Sequence, residues 1–236
     1  MLLCGQNSAR DERAGGRNSA EIQREIFQVQ REGFDLGVAL GTAHALTDIG
    51  GTGMRSRGLF LDAQPRATGI QLGSYLRYHL SDMVALNLAL NYARVGAADS
   101  LSNPNSGRFT RGYHFRNSLF EISLQAEVYL PEELLNIRPD IYAFAGFLVL
   151  FHEPQLMDAE GRMQPSKLES PQPVIPLGMG IHYTTLQNLR FGFQAGVRIT
   201  FFDYLDGISP VKGPRNDIYF FNTFTFGYLI KPGRRF

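Results

Sequence analysis

The sequence contains one cysteine, no tryptophan and, among 23 basic residues, only three lysines. A lone thiol, Cys4, cannot make an internal disulfide, so no disulfide framework supports this fold. No apolar run approaches the roughly 18 residues that a membrane helix needs. The longest, IYAFAGFLVLF at 141–151, is too short and contains a glycine, and a helical membrane protein is thereby excluded. The 23 basic and 22 acidic residues nearly cancel, which leaves no strongly basic surface for a nucleic acid. Lysine scarcity is the most informative absence. Lys167, Lys212 and Lys231 all fall in expected loops, whereas a water-facing sheet ordinarily carries Lys and Glu on its wet side. The candidate strands carry Arg and Glu among small and amide residues, which suits a confined polar interior with multidentate hydrogen bonding.

What the sequence does have is alternation. In SYLRYHLSDMVALNLALNYA (74–93), Leu76, Tyr78, Leu80, Val84, Leu86, Leu88, Leu90 and Tyr92 alternate with Tyr75, Arg77, His79, Ala85, Asn87, Ala89, Asn91 and Ala93. Successive strand side chains point to opposite faces, so period two predicts two strands, and Ser81-Asp82-Met83 predicts the turn of a hairpin. The same pattern recurs at 34–48, 68–80, 118–130, 174–183 and 189–202. Two further segments are less regular: 141–152 is apolar on both faces, and 218–230 interrupts its aromatic row at Asn222. Eight strands of about ten residues result, the length a tilted strand needs to cross a bilayer.

The connections alternate as well. Residues 49–66, 96–114, 153–173 and 203–216 are long, while 81–83, 131–139 and 184–188 are short. This predicts an all-β chain, an eight-stranded antiparallel up-and-down transmembrane barrel with long loops on one side and both termini on the other. A soluble barrel of the lipocalin kind also alternates, but its outer face would meet water. Here the second face is too rich in Gly and Ala and too poor in Lys for that role. Small and polar groups are expected to fill a narrow lumen, with Leu, Ile, Val and Phe toward lipid and Tyr78, Tyr92, Tyr183 and Tyr228 as an interfacial girdle. The barrel is expected at 34–236. Residues 1–33 are expected to hold a signal remnant, Met1 to Ala9, and a short periplasmic segment; an ordinary disordered cytosolic N-terminus fits Met1 to Ala9 nearly as well.

Arg77, Glu121, Glu127, Arg190 and Arg198 occupy lumen positions and are expected to pair, because unpaired charges there are costly. The histidines His44, His79, His114, His152 and His182 show no metal-ligand spacing, so no metal or cofactor is expected. His152 and Glu153 open one expected loop and His114 precedes Ser118 on another, but no nucleophile motif supports an enzyme. Asp203 and Asp206 could be a carboxylate pair; turn chemistry explains them equally. In NSAEIQREIFQVQREG (18–33), Ile22, Ile26 and Val29 form a stripe at helical spacing behind a capping Asn18 or Ser19. That stripe, with Arg24 and Arg31, either plugs the barrel mouth or docks a periplasmic partner.

Three stretches carry a resemblance: IYAFAGFLVLFHEP (141–154), VIPLGMGIHY (174–183) and FGFQAGVRITFFDYLDGIS (191–209). In this order they resemble the small PorG-like outer-membrane barrels of the Bacteroidetes type IX secretion system. The matching positions are Tyr142, Phe144, Gly146 and Pro154; Ile175, Pro176, Gly178 and Gly180; and Asp203, Tyr204, Leu205, Asp206 and Ser209. Departures are Asp140-Ile141 where the family has Pro before the Tyr, His152-Glu153 before the second Pro, and Gly207-Ile208 where Asp-Val is usual. The resemblance implies a non-enzymatic secretion component that ties the periplasmic PorK and PorN ring to outer-membrane lipid. Alternatives of other classes are an OmpA-like structural or adhesive barrel and an outer-membrane lipid-modifying enzyme.

Overall fold

Large side chains at every second position bury one strand face and expose the other, and the predicted strands form on that basis. The computed structural model describes residues 33–47, 49, 68–102, 104–105, 107–131, 139–165, 170–202, 204–207 and 217–231. The strands are β1 (Phe34–Leu46), β2 (Gly69–His79), β3 (Val84–Ala98), β4 (His114–Tyr129), β5 (Asp140–Met157), the two-residue β6 (Met163–Gln164), β7 (Gln172–Thr184), β8 (Leu189–Thr200) and β9 (Ile218–Ile230). Every pairing is antiparallel between chain neighbours, with β6 added to the end of β5. The pairing of β1 with β9 closes the circle. The eight long strands thus form a closed up-and-down barrel.

One line of paired residues shows how the circle closes. It runs Ile141, Ile181, Phe193, Phe224, Leu40, Leu72, Tyr92, Phe120 and returns to β5 at Phe151. The return is displaced by ten residues, from Ile141 to Phe151. For eight strands a displacement of this size sets a tilt of about 40°. The outward row from Ile141 to Phe151, seen also from Phe120 to Leu130, then rises about 25 Å, the height of the apolar band of a membrane barrel. Every residue on the line is apolar and faces outward. Leu88 is 46% exposed and Phe224 67% exposed, a surface that water would disfavour and lipid accepts. Tyr78, Tyr183 and Tyr228 face outward near the turn end and Tyr92 near the other.

The strands extend beyond the predicted limits on the long-loop side. Segments 96–114 and 153–173, read as loops, are strand as far as Ala98, from His114 onward and up to Met157. His152, Glu153, His114 and Ser118 therefore sit in β4 and β5, and the histidine and serine in β4 are four residues apart on one strand. The physical reason is that the three strands keep pairing above the apolar band, where the outward side chains become polar or small and the greasy alternation ends. The β3–β4 connection is also built: a 3-10 turn at Asp99–Leu101 leads to the short helix α1, Gly107–Arg111. Buried Asp99 clamps it by accepting from Arg111 Nε (2.7 Å) and Nη2 (3.0 Å) and from the Tyr113 amide (3.2 Å).

Because the outward face meets lipid, Leu88→Arg near mid-strand is expected to cost about 2 to 4 kcal/mol of stability in vesicles. Urea titration of the inserted barrel measures it, and an unchanged midpoint would place that face in water.

Candidate functional site

A narrow barrel leaves one interior, and alternation decides which side chains enter it. The structure places Arg77, Glu121, Glu127, Arg190 and Arg198 there, all buried. Arg77 forms a bidentate pair with Glu127, Nε to Oε2 at 2.7 Å and Nη2 to Oε1 at 3.0 Å. Its Nη1 donates to Asp35 at 2.6 Å, and Arg190 Nη1 reaches the same carboxylate oxygen at 3.1 Å. Two cations thus face two anions in a closed cluster. Asn87 and the Tyr129 hydroxyl donate to Glu127 at 2.7 and 2.6 Å, and Arg77 lies over the rings of Tyr75 and Tyr142. Higher up, Arg198 stands 3.6 Å from Glu121, an ion pair longer than a hydrogen bond, and lies 4.1 Å over the Phe221 ring. Asn91 and Gln71 extend this pair into a chain ending at Thr223.

Asp35 is the member that was not among the expected lumen charges. Its signal was available, since it holds the inward parity of β1 between Phe34 and Leu36. The His182–Asp140 contact at 3.1 Å was likewise unanticipated. It joins a tip residue, Asp140, to the inward row of β7, and pairing across β5 and β7 is a tertiary fact.

The expectation of a small and polar lumen is corrected at the long-loop end. There the interior is an apolar core that includes Val95, Phe115, Leu119, Leu148, Leu150 and Val174. This explains why 141–152 reads as apolar on both faces: Leu148 and Leu150 point inward while Phe147 and Phe151 point to lipid. The segment after β8 seals that end. Phe202 and Leu205 belong to the core, and the Phe202 ring stacks on His152 at 5.1 Å. Asp217 accepts the Leu205 amide at 2.8 Å, Asn117 donates to the Leu205 carbonyl at 2.7 Å, and buried Asp206 accepts the Ile49 amide at 3.2 Å. Asp206 is therefore an anchor of the closed mouth; Asp203 lies outside the described residues.

The remaining motif positions have packing roles. Tyr142 and Phe144 pair across the ladder with Gly180 and Gly178 and lie over them. A Cβ at Gly180 would overlap the Tyr142 ring, and one at Gly178 the Phe144 ring. At Pro176, opposite Gly146, the ladder is interrupted between Ala145–Leu177 and Leu148–Val174, because proline has no amide hydrogen to give. Pro154 is inward and buried in β5, and Tyr204 packs against the apolar core. Ile22, Arg24, Ile26, Val29 and Arg31 lie outside the described residues.

Removing one partner of a buried pair leaves the other charge uncompensated, so Arg77→Met is expected to cost about 3 to 5 kcal/mol, read from urea unfolding in vesicles. Gly180→Ala should cost about 1 to 3 kcal/mol through overlap with Tyr142, and much less in a Tyr142→Ala background. Equal costs in both backgrounds would show that the ring does not set the glycine.

Among solved structures the chain is similar to Neisserial surface protein A (NspA), at 12% identity and TM-score 0.50 over 84% of this chain and 98% of that one. It is also similar to Ail, the attachment invasion locus protein of Yersinia pestis, at 11% identity and TM-score 0.44 over 84% and 99%. OprG, an outer membrane protein from Pseudomonas aeruginosa, matches at 12% identity and TM-score 0.41 over 86% and 98%. The likeness to NspA is one of fold. No curated protein matches the chain. Residues 23–231, spanning the whole barrel, match the family described as Domain of unknown function (DUF6089), and the chain belongs to that family.

Proposed function

We propose that this chain is a non-enzymatic outer-membrane component of the type IX secretion system that anchors or orients the periplasmic PorK and PorN ring, with its termini and short turns in the periplasm. Support for the secretion assignment is the resemblance carried by Tyr142, Phe144, Gly146, Pro176, Gly178 and the Tyr204-Leu205-Asp206 run. The observation that carries an anchoring role over a conduit is the filled interior: a charge cluster blocks one half, and an apolar core under Leu205 blocks the other. A barrel so packed has no passage for folded cargo. The apolar outer face and the alternation of long and short connections support the outer-membrane location. The docking segment in this reading is 18–33, with the turn at 131–139 as the second candidate.

Affinity purification of the tagged full chain from detergent-solubilised membranes tests this. PorK and PorN are expected to co-purify with it, and deletion of residues 18–31 is expected to abolish that association while barrel abundance in the outer membrane stays normal. An abundant, correctly inserted barrel that retains neither ring protein overturns the reading. It would leave an OmpA-like structural or adhesive barrel, which the projection of β3, β4 and β5 beyond the apolar band favours as the second reading.

A further inference from the structure

Where β3, β4 and β5 leave the apolar band, their outward face changes character within one row. The last apolar row is Tyr92, Phe120 and Phe151; the next is Arg94, Ser118 and Glu153, followed by Gly96, Arg116 and Gln155. Both arginines are exposed. Arg94 Nε donates to the Tyr92 hydroxyl at 3.0 Å, which holds the guanidinium against the aromatic edge. Among the described residues neither arginine forms an ion pair. The acid of this face, Glu153, sits two strands from Arg94 in its row, roughly 10 Å away at ordinary strand spacing, and is diagonal to Arg116 across the β4–β5 ladder, about 7 to 8 Å at the backbone. Arg94, Arg116, His114, Ser118 and Gln155 line a cleft of about 820 Å³ on this face, and Glu153 lines it with them as its acid.

We propose that this cleft binds the phosphate of a phosphorylated glycolipid of the outer leaflet, with Arg94 and Arg116 as its ligands. The inference rests on the outer-membrane reading with the long loops outside. Arg94 and Arg116 lie on neighbouring strands in diagonal register, about 7 to 8 Å apart at the backbone, so two long side chains can converge on one phosphate through charge-assisted hydrogen bonds. The arginines begin where the apolar row ends, with no intervening neutral layer. A ligand that meets both must be an amphiphile, with acyl chains against Tyr92, Phe120 and Phe151 and an anionic head one row above. A soluble anion would satisfy the guanidiniums and leave the aromatic row unused. His114 and Ser118 supply further hydrogen-bonding groups for a sugar or phosphate oxygen.

The test uses the full chain in nanodiscs, with native mass spectrometry reading bound diphosphoryl lipid A, its fully dephosphorylated counterpart, and diphosphoryl lipid A in the presence of millimolar inorganic phosphate. Wild type is expected to prefer the phosphorylated lipid. Arg94→Gln with Arg116→Gln is expected to weaken that binding on the order of tenfold, and Arg162→Gln, on an exposed turn away from the cleft, to leave it unchanged. Glu153→Gln should tighten binding, a sign that a merely structural role would not produce. Equal binding of the two lipids, or wild-type binding by an inserted double variant, overturns the inference alone. Displacement of the lipid by inorganic phosphate overturns its lipid source in favour of a soluble anion. Insertion is followed in the same samples by heat-modifiable migration. A chain that does not insert overturns the membrane reading and this inference with it.

Discussion

Backbone hydrogen bonding without water is the constraint on which this structure depends. In hydrocarbon each unpaired amide or carbonyl costs several kcal/mol, so a strand-built span must close on itself. The β1–β9 ladder supplies that closure, thirteen paired positions long from Phe34–Ile230 to Leu46–Ile218. Closure at eight strands and a ten-residue displacement then sets a narrow bore, and the bore decides the rest. Side chains must fill it, any charge inside must be paired, and the residues that face outward in the band must be apolar.

The two halves of the interior meet that demand differently. Toward the turns, Arg77 and Arg190 face Asp35 and Glu127, and the planar Arg77–Glu127 fork with added donors from Asn87 and Tyr129 leaves few carboxylate lone pairs unused. Toward the long loops, Leu and Phe side chains form a core that resembles that of a soluble protein, covered by Leu205 and Phe202. Directional pairing on one side and non-directional burial on the other fill the bore by different means.

Seen in place, the described residues that carry the resemblance are residues that build the barrel. Tyr142 and Phe144 need glycines beneath them, Pro176 interrupts a ladder opposite Gly146, and Leu205 and Asp206 close a mouth. Similarity at these positions therefore speaks for shared architecture.

The sequence by itself determined the strands, their faces and the up-and-down order, because period two is a local property: each residue's parity follows from its neighbours. It also marked Arg77, Glu121, Glu127, Arg190 and Arg198 as inward, for the same reason. Only the tertiary structure decided which of them meet. Arg77 binds Asp35 and Glu127, 42 and 50 residues away, since closure and strand displacement set the heights at which side chains face one another. The strand ends above the apolar band escaped sequence reading because Arg94, Arg116 and Glu153 carry no hydrophobic period, although their backbones pair as before. The inward fold of 204–207 escaped it because a loop's burial depends on the mouth it covers, and that mouth exists only once β1 has met β9.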